Sequence, residues 1–314
     1  MPAHAVARHR PLLGVLLIVA MGAAFAALDT AVRWAGATMP VLLLLACRYG
    51  AQAFLMGGWL AFDRRRRLRP AHPRFQALRG ALLLASSGFA FFGLQHLPVA
   101  EFTAINMLAP VLVTFLAAWL LKERVSALRW TLVALSFAGA LVIIRPGSGL
   151  FGWAVLFPLG CACTYASFQV LTSRLSALED PLVTHFWTGV VGAALVLPVL
   201  ALSPVDVTAA LAAATPRQWA VLAAIGLFGT GGHLLLILAF RVASAATLMP
   251  FVYTQIASAT LTGWWVFGNL PDAFGWAGMA IIAVSGAATA WLNVRAAGRQ
   301  RAPVSVVAAD SMAD

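Results

Sequence analysis

The stretch "TFLAAWLLKERVSALRW", Thr114 to Trp130, has a second copy in the chain: "TLTGWWVFGNLPDAFGW", Thr260 to Trp276. A shift of 146 positions lays Thr114 on Thr260, Trp119 on Trp265, Glu123 on Asn269 and Trp130 on Trp276, with small and apolar neighbours between them. The chain therefore reads as two halves of one design. Each half is expected to hold five membrane spans. Five is odd, so the second half must enter the bilayer upside down relative to the first.

The composition sets the medium. Hydrophobic residues make up 62% of the 314 positions, charged residues 10%, and the mean hydropathy is +0.90. No soluble globular domain of this length looks like that. The net charge of +11 does not point to nucleic acid, because the bases sit in short clusters between apolar runs and not along a face interleaved with aromatics. Cys47, Cys161 and Cys163 all fall inside apolar segments without zinc-ligand spacing, so they read as small packing residues. The first apolar run, from Leu12, outlasts a signal-peptide core and lacks a small-residue cleavage site before Asp29, so no cleavable signal is expected.

About twenty apolar residues cross the hydrocarbon as a helix. Runs of that kind give ten expected spans: 12–32, 40–62, 79–97, 101–121, 127–145, 150–172, 182–201, 217–240, 244–267 and 272–293. The expected architecture is an all-α membrane protein of ten transmembrane helices in two inverted five-helix repeats. Residues 1–11 form an N-terminal segment, 12–145 the first repeat, 150–293 the second, and 294–314 a tail. With the N-terminus in the cytoplasm, 17 of the 21 Lys and Arg residues fall in inside connections, Arg64 to Arg67, Arg69, Arg74 and Arg79 among them. Only Arg33, Arg145 and Arg217 fall outside, and Arg48 lies within a span. The positive-inside rule then puts both termini in the cytoplasm.

Several stretches together resemble the drug/metabolite transporter superfamily in its ten-helix EamA-type branch. In the first half they are "LDTAVRW", "MPVLLLLACRYG", "LPVAEFTAINMLAPVLVTFLAAWLLKERVSALRW" and "GALVIIRPG"; in the second, "GTGGHLLLILAFRVASAATLMPFVYTQIASATLTGWWVFGNLPDAFGWAGMAIIAVSG". The acid-then-base pair of span 1, the "RY" of span 2 and the "PFVYTQ" of span 9 are similar to the proteobacterial group that holds riboflavin and S-adenosylmethionine importers. The chain departs from the family pattern at Asn269, where a "GE-x-P" acid is usual; Glu123 keeps the acid in the first half. The resemblance implies a central cavity lined by spans 1, 3, 4, 6, 8 and 9, braced by spans 5 and 10. It points to Asp29, Asn106, Tyr165, Gln169, His233, Tyr253 and Gln255.

Charge inside a membrane costs on the order of 2.5–3.5 kcal/mol per group at a helix centre, so each charged residue there needs a partner or a use. Asp29 and Arg33 are four apart on one helical face and either pair with each other or serve separate ends. Arg48 lies eight residues into span 2, roughly 12 Å below the turn, at a depth like that of Asp29. Asp29 and Arg48 are thus candidates to meet, as a gate or a substrate anchor, with Arg33 at the entrance. Span 4 carries Thr103, Asn106, Pro110 and Thr114 on one stripe, and span 9 carries Thr247, Pro250, Thr254 and Ser258, with Tyr253 and Gln255 beside it. Such stripes serve either close packing or a cavity; the prolines favour the cavity, since a kink frees carbonyls that need a polar neighbour. Tyr165 and Gln169 share a face of span 6, one suited to stacking on a flat substrate and the other to hydrogen bonding. His185 and His233 each stand alone and read first as packing residues. Glu101 reads as a dipole-complementing residue at a helix start, and Glu123 as a structural salt-bridge residue.

The expected function is secondary transport of a small organic metabolite, an amino acid, vitamin or nucleoside-like compound, by alternating access. The alternative is an integral-membrane enzyme acting on a lipid or peptide, against which stands the lack of a nucleophile and base in a recognised arrangement. No metal, cofactor or nucleotide-binding motif is expected. The partners are a small-molecule substrate and the lipid bilayer, with a homodimer left open.

Overall fold

Most helices start where the sequence supplies a proline or an acid to begin them. In the computed structural model, residues 11–62, 69–113, 116, 127–148, 150–175, 179–242 and 248–300 are described. The main helices are α1 (Pro11–Gly36), α2 (Val41–Phe62), α3 (Pro73–Gly93), α4 (Val99–Asn106) and α5 (Ala127–Ile144). They continue with α6 (Leu156–Leu175), α7 (Pro181–Leu202), α8 (Pro216–Val242), α9 (Thr254–Phe267) and α10 (Ala273–Gln300). Proline opens α3, α7 and α8, where its fixed φ suits a first turn and its missing N–H leaves nothing unsatisfied. Asp180 caps α7 by accepting from the N–H groups of Leu182 at 2.8 Å and Val183 at 3.3 Å.

Asp272 does the same for α10, accepting from Gly275 N–H at 2.8 Å, and its other oxygen meets Arg145 at 2.8 Å. The Gly275 N–H and the Arg145 guanidinium hold its carboxyl below the usual carboxylate range.

Seven of the described helical segments are long and apolar enough to cross a membrane, and Val99–Val113 and Trp130–Ile144 are shorter apolar helices. Span 3 begins six residues earlier than expected, at Pro73. That shift draws Arg79 out of the loop and into the protein, where it is 6% exposed.

The fourth span is broken. α4 ends at Asn106, Met107 N–H bonds back to Thr103 and Ala104, and helix resumes at Ala109 and continues to the last described residue of that stretch, Val113. Pro110 is the cause: it has no N–H to give the Asn106 carbonyl, four residues earlier. A 3₁₀ turn over Met249–Tyr253, carrying Pro250, precedes α9 in the same way. The kinks expected from the two prolines are therefore present in both halves.

α1 lies along α8, α3 along α6, α2 against α7 and α8, α1 against α9, and α5 along α10. The chain is inside-out by soluble standards: Phe62, Trp265 and Leu202 face outward at 84–92% exposure, while one apolar cluster runs through the centre. Helices approach closely where glycine permits it. The fully buried Tyr49 ring of α2 occupies the space a side chain at Gly192 of α7 would need. Gly139 of α5 and Gly278 of α10 bring backbone against backbone, and Ser136 and Ser285 share a hydrogen bond of 2.8 Å in the same seam. Because Tyr49 has no free volume to yield, Gly192→Leu should lose about 1–3 kcal/mol through overpacking. Thermal unfolding in detergent should show it as a melting point lower by several degrees; an unchanged melting point would mean that α2 and α7 do not touch there.

Candidate functional site

A small cavity of about 80 Å³ opens among α1, α2, α3, α4, α6, α8 and α9. Six of the residues singled out in the sequence line it: Asp29, Arg48, Asn106, Tyr165, His233 and Gln255. Its walls are otherwise apolar or small, with Phe25, Phe91 and Ser87 among them. Such a mixture, apolar walls with a few convergent polar groups, is what small-molecule sites have in common.

Arg48 is 4% exposed and is held from three helices. Its Nη1 donates to Ser87 Oγ of α3 and to its neighbour Tyr49 Oη at 3.2 Å, and its Nη2 lies 3.4 Å from His233 Nε2 of α8. The cation also lies over the rings of Tyr49 and Phe91, at 4.9 and 5.8 Å. A guanidinium only donates, so His233 accepts through Nε2 and carries its ring proton on Nδ1. His233 packs edge-on to Phe25 at 4.9 Å.

Asp29 and Arg48 do share one cavity, yet no ion pair within 4 Å joins them, nor does Asp29 pair with Arg33. Asp29 is half-buried, with its carboxyl lining the cavity and no hydrogen-bond partner among the described residues. Arg33 turns the other way. It donates to the carbonyls of Leu97 and, at 3.4 Å, Leu94, and lies 5.1 Å from the Phe267 ring of α9. With Trp34, Thr38 and Gln95 it lines a separate depression toward the end of α1.

Asn106 has a buried side-chain oxygen with no partner, at the break in α4, and the Thr103 hydroxyl one turn earlier is likewise unpartnered. Tyr165 packs against Phe168 at 5.6 Å. Gln169 and Tyr253 do not line the cavity: Gln169 is half-buried further along α6, and the Tyr253 ring fills the space left by Gly286 of α10. Glu123 lies outside the described residues. His185 is a packing residue in geometry, for Nε2 donates to the Thr230 carbonyl at 3.2 Å and Nδ1 accepts from Gln52 at 3.2 Å.

The model of the EamA-like transporter family matches the chain twice, over residues 12–145 and 152–291. This chain belongs to the EamA-like transporter family. Among relatives of this EamA-like transporter, a riboflavin transporter of Rhizobium johnstonii is 30% identical over 88% of this chain and 91% of its own. An S-adenosylmethionine uptake transporter of Rickettsia prowazekii is 24% identical over 65% of this chain and 67% of its own. A solved crystal structure covers 93% of this chain and 98% of its own at a TM-score of 0.63 and 22% identity, a likeness of fold. The protein is therefore a multi-pass membrane transporter of a small molecule and not an enzyme, and the alternative of a membrane enzyme falls.

One cation that the sequence assigns to a connection, Arg79, is buried inside this EamA-like transporter. Arg79 donates through Nε to Thr172 at 2.7 Å, and through Nη1 to the Thr184 carbonyl at 3.2 Å and to Thr188 Oγ1. It lies 4.5 Å from the Phe168 ring. It thereby ties α3 to α6 and α7 with neutral oxygens alone among the described residues. The signal lay in the sequence: Gln76 and Arg79 share a helical face, and Gln76 also reaches the next helix, donating to Thr184 Oγ1 at 3.0 Å. Arg79→Ala should lower stability by about 1.5–3 kcal/mol for each charged hydrogen bond lost, whereas Arg74→Ala, at an exposed position one turn earlier, should stay within about 0.5 kcal/mol. Thermal melts of the two variants side by side decide it; equal melts would return Arg79 to the surface.

Proposed function

We propose that this transporter is a secondary carrier that works by alternating access, with the cavity around Asp29, Arg48, Asn106, Tyr165, His233 and Gln255 as its substrate seat. The observation that carries the reading is that helices of both halves build this one cavity, α1 to α4 from the first and α6, α8 and α9 from the second. Ten spans in two inverted five-helix repeats account for the packing. Exchanging each helix for the one five later turns α1 on α8 into α6 on α3, and α2 on α8 into α7 on α3. It turns α1 on α9 into α6 on α4, and leaves α2 on α7 and α5 on α10 unchanged; all of these pairs occur. The double match of the family model supports the same division. The asymmetry of Lys and Arg between connections supports an inner-membrane location with both termini cytoplasmic.

The substrate is a compact organic molecule with a flat ring. Phe25, Phe91, Tyr165 and His233 offer faces and edges to such a ring, and the Asn106 oxygen waits for a donor. The names of the relatives, riboflavin and S-adenosylmethionine, agree in having a nitrogen-bearing planar ring. Arg33 serves as an outer latch: its bonds to two backbone carbonyls and its contact with Phe267 join α1 to the α3–α4 turn and to α9.

Counterflow in proteoliposomes tests the reading. Vesicles loaded with unlabelled riboflavin, and a parallel set loaded with S-adenosylmethionine, should accumulate the matching labelled compound saturably in at least one arm. Tyr165→Ala should reduce that uptake by on the order of tenfold, the upper worth of one aromatic contact. Uptake that rises without saturation, or that ignores the change at Tyr165, would discard the cavity as the seat.

A further inference from the structure

Two polar contacts cross between the halves, and they occupy the same place in the repeat. In one, Gln218 of the first turn of α8 donates through Nε2 to Thr38 Oγ1 of the α1–α2 turn at 2.9 Å. In the other, His72, the cap residue of α3, donates its N–H to Glu179 Oε1 of the α6–α7 turn at 2.8 Å. Its Nδ1 lies 3.5 Å from the same oxygen. The bonds of Arg33 to Leu94 and Leu97 put the end of α3 beside the end of α1, so the start of α3, with His72, is a helix length away. Exchanging each helix for the one five later carries one contact onto the other. The sequence agrees: Thr38 and Glu179 each stand two residues before a proline, Pro40 and Pro181, and Gln218 and His72 flank the pairs Pro216–Arg217 and Pro73–Arg74. Each contact is fifteen residues along its helix from the cavity wall, Gln218 from His233 and His72 from Ser87, about 22 Å at the helical rise. Further bonds brace both. Thr215 donates its N–H and hydroxyl to Gln218 Oε1 at 2.8 and 3.0 Å, and the Arg217 guanidinium lies 4.6 Å from the Trp34 ring. The Glu179 side chain is 5% exposed, and close by Gln76 and Arg79 both reach Thr184.

At about 80 Å³ the cavity is far smaller than the roughly 300–1,000 Å³ of a small-molecule pocket, so cargo enters only after one end opens. We infer that the two contacts are the gates of the transport cycle: Thr38–Gln218 closes one end of the cavity, His72–Glu179 closes the other, and each breaks in turn. The positive-inside rule places the first outside and the second in the cytoplasm. In an inverted-repeat carrier the two open states interchange the conformations of the halves, so a contact kept at one end is broken at its counterpart. The atoms differ, amide to hydroxyl at one gate and peptide N–H to carboxylate at the other. What the repeats share is therefore the crossing between halves and not a residue pair. Both contacts are made at once here, which is the doubly closed state between the two open ones. The inference rests on the alternating-access reading above.

Cys161, 3% exposed in the cavity wall, reports on access from either end. The full-length protein carrying Cys47→Ala and Cys163→Ala receives Thr38→Cys with Gln218→Cys, His72→Cys with Glu179→Cys, or all four changes. Each pair is cross-linked by oxidation. Labelling of Cys161 by a water-soluble maleimide is then timed in detergent, where both ends meet the reagent, and read by peptide mass spectrometry. The double lock should label at least about tenfold more slowly than the faster of the two single locks, because it alone removes both open states, and reduction should restore the rate. Either single lock should stop counterflow. Should the fourfold variant not fold, Thr38→Val and Glu179→Ala, each without the acceptor oxygen, should raise the labelling rate by at least about threefold. Arg69→Ala, at an exposed position beside neither contact, should leave it unchanged. A double lock that labels as fast as a single one, a single lock that leaves counterflow running, or acceptor variants that label no faster each overturns the inference. Labelling needs no cargo: gates that behave as expected without counterflow of riboflavin or S-adenosylmethionine would discard the substrate reading alone, and counterflow that survives a lock would discard the gates alone.

Discussion

A guanidinium in the middle of a membrane protein has to be solvated by the protein, because the lipid offers it nothing. Arg48 sets that requirement, and much of the centre is arranged around it. Ser87 comes from α3, His233 from α8, and Tyr49 from the same helix, so satisfying one cation brings three helices to one point. The Tyr49 ring that lies under Arg48 is also the ring that needs Gly192 to be glycine, so the α2–α7 approach and the placement of the charge depend on each other. Arg79 repeats the solution lower in α3, where threonine oxygens and a phenylalanine ring take the place of a counter-ion.

Much of this was legible in the sequence because bilayer physics leaves few options. Apolar length gives a spanning helix, and the density of such runs identified the class. Pro110 and Pro250 signalled breaks, and the breaks are there, since a missing N–H acts locally whatever surrounds it. Asp29, Arg48, Asn106, Tyr165, His233 and Gln255 stood out as polar residues in apolar runs, and they converge because a membrane interior gives polar groups nowhere else to go.

What was not legible depended on direction and not on type. Arg79 follows a run of arginines and reads as one more of them; the face it shares with Gln76 counts only once the helix is started at Pro73. Gln169 shares a face with Tyr165 but lies a further turn along α6, past the end of the cavity. Tyr253 is next to Gln255 in importance by sequence, yet the 3₁₀ turn before α9 rotates its ring toward Gly286. Rise per residue puts Asp29 and Arg48 at a similar depth, and both line the cavity, but depth does not tell whether two side chains reach each other.

The seam between α5 and α10 has a mechanical meaning. Neither helix lines the cavity, and at Gly139 and Gly278 no side chain separates the two backbones. Backbones packed this closely resist sliding along the axis more than a change of crossing angle. In the alternating-access reading proposed above, such a seam serves as a fulcrum, from which a few degrees of tilt grow with distance into ångströms on the side of the cavity.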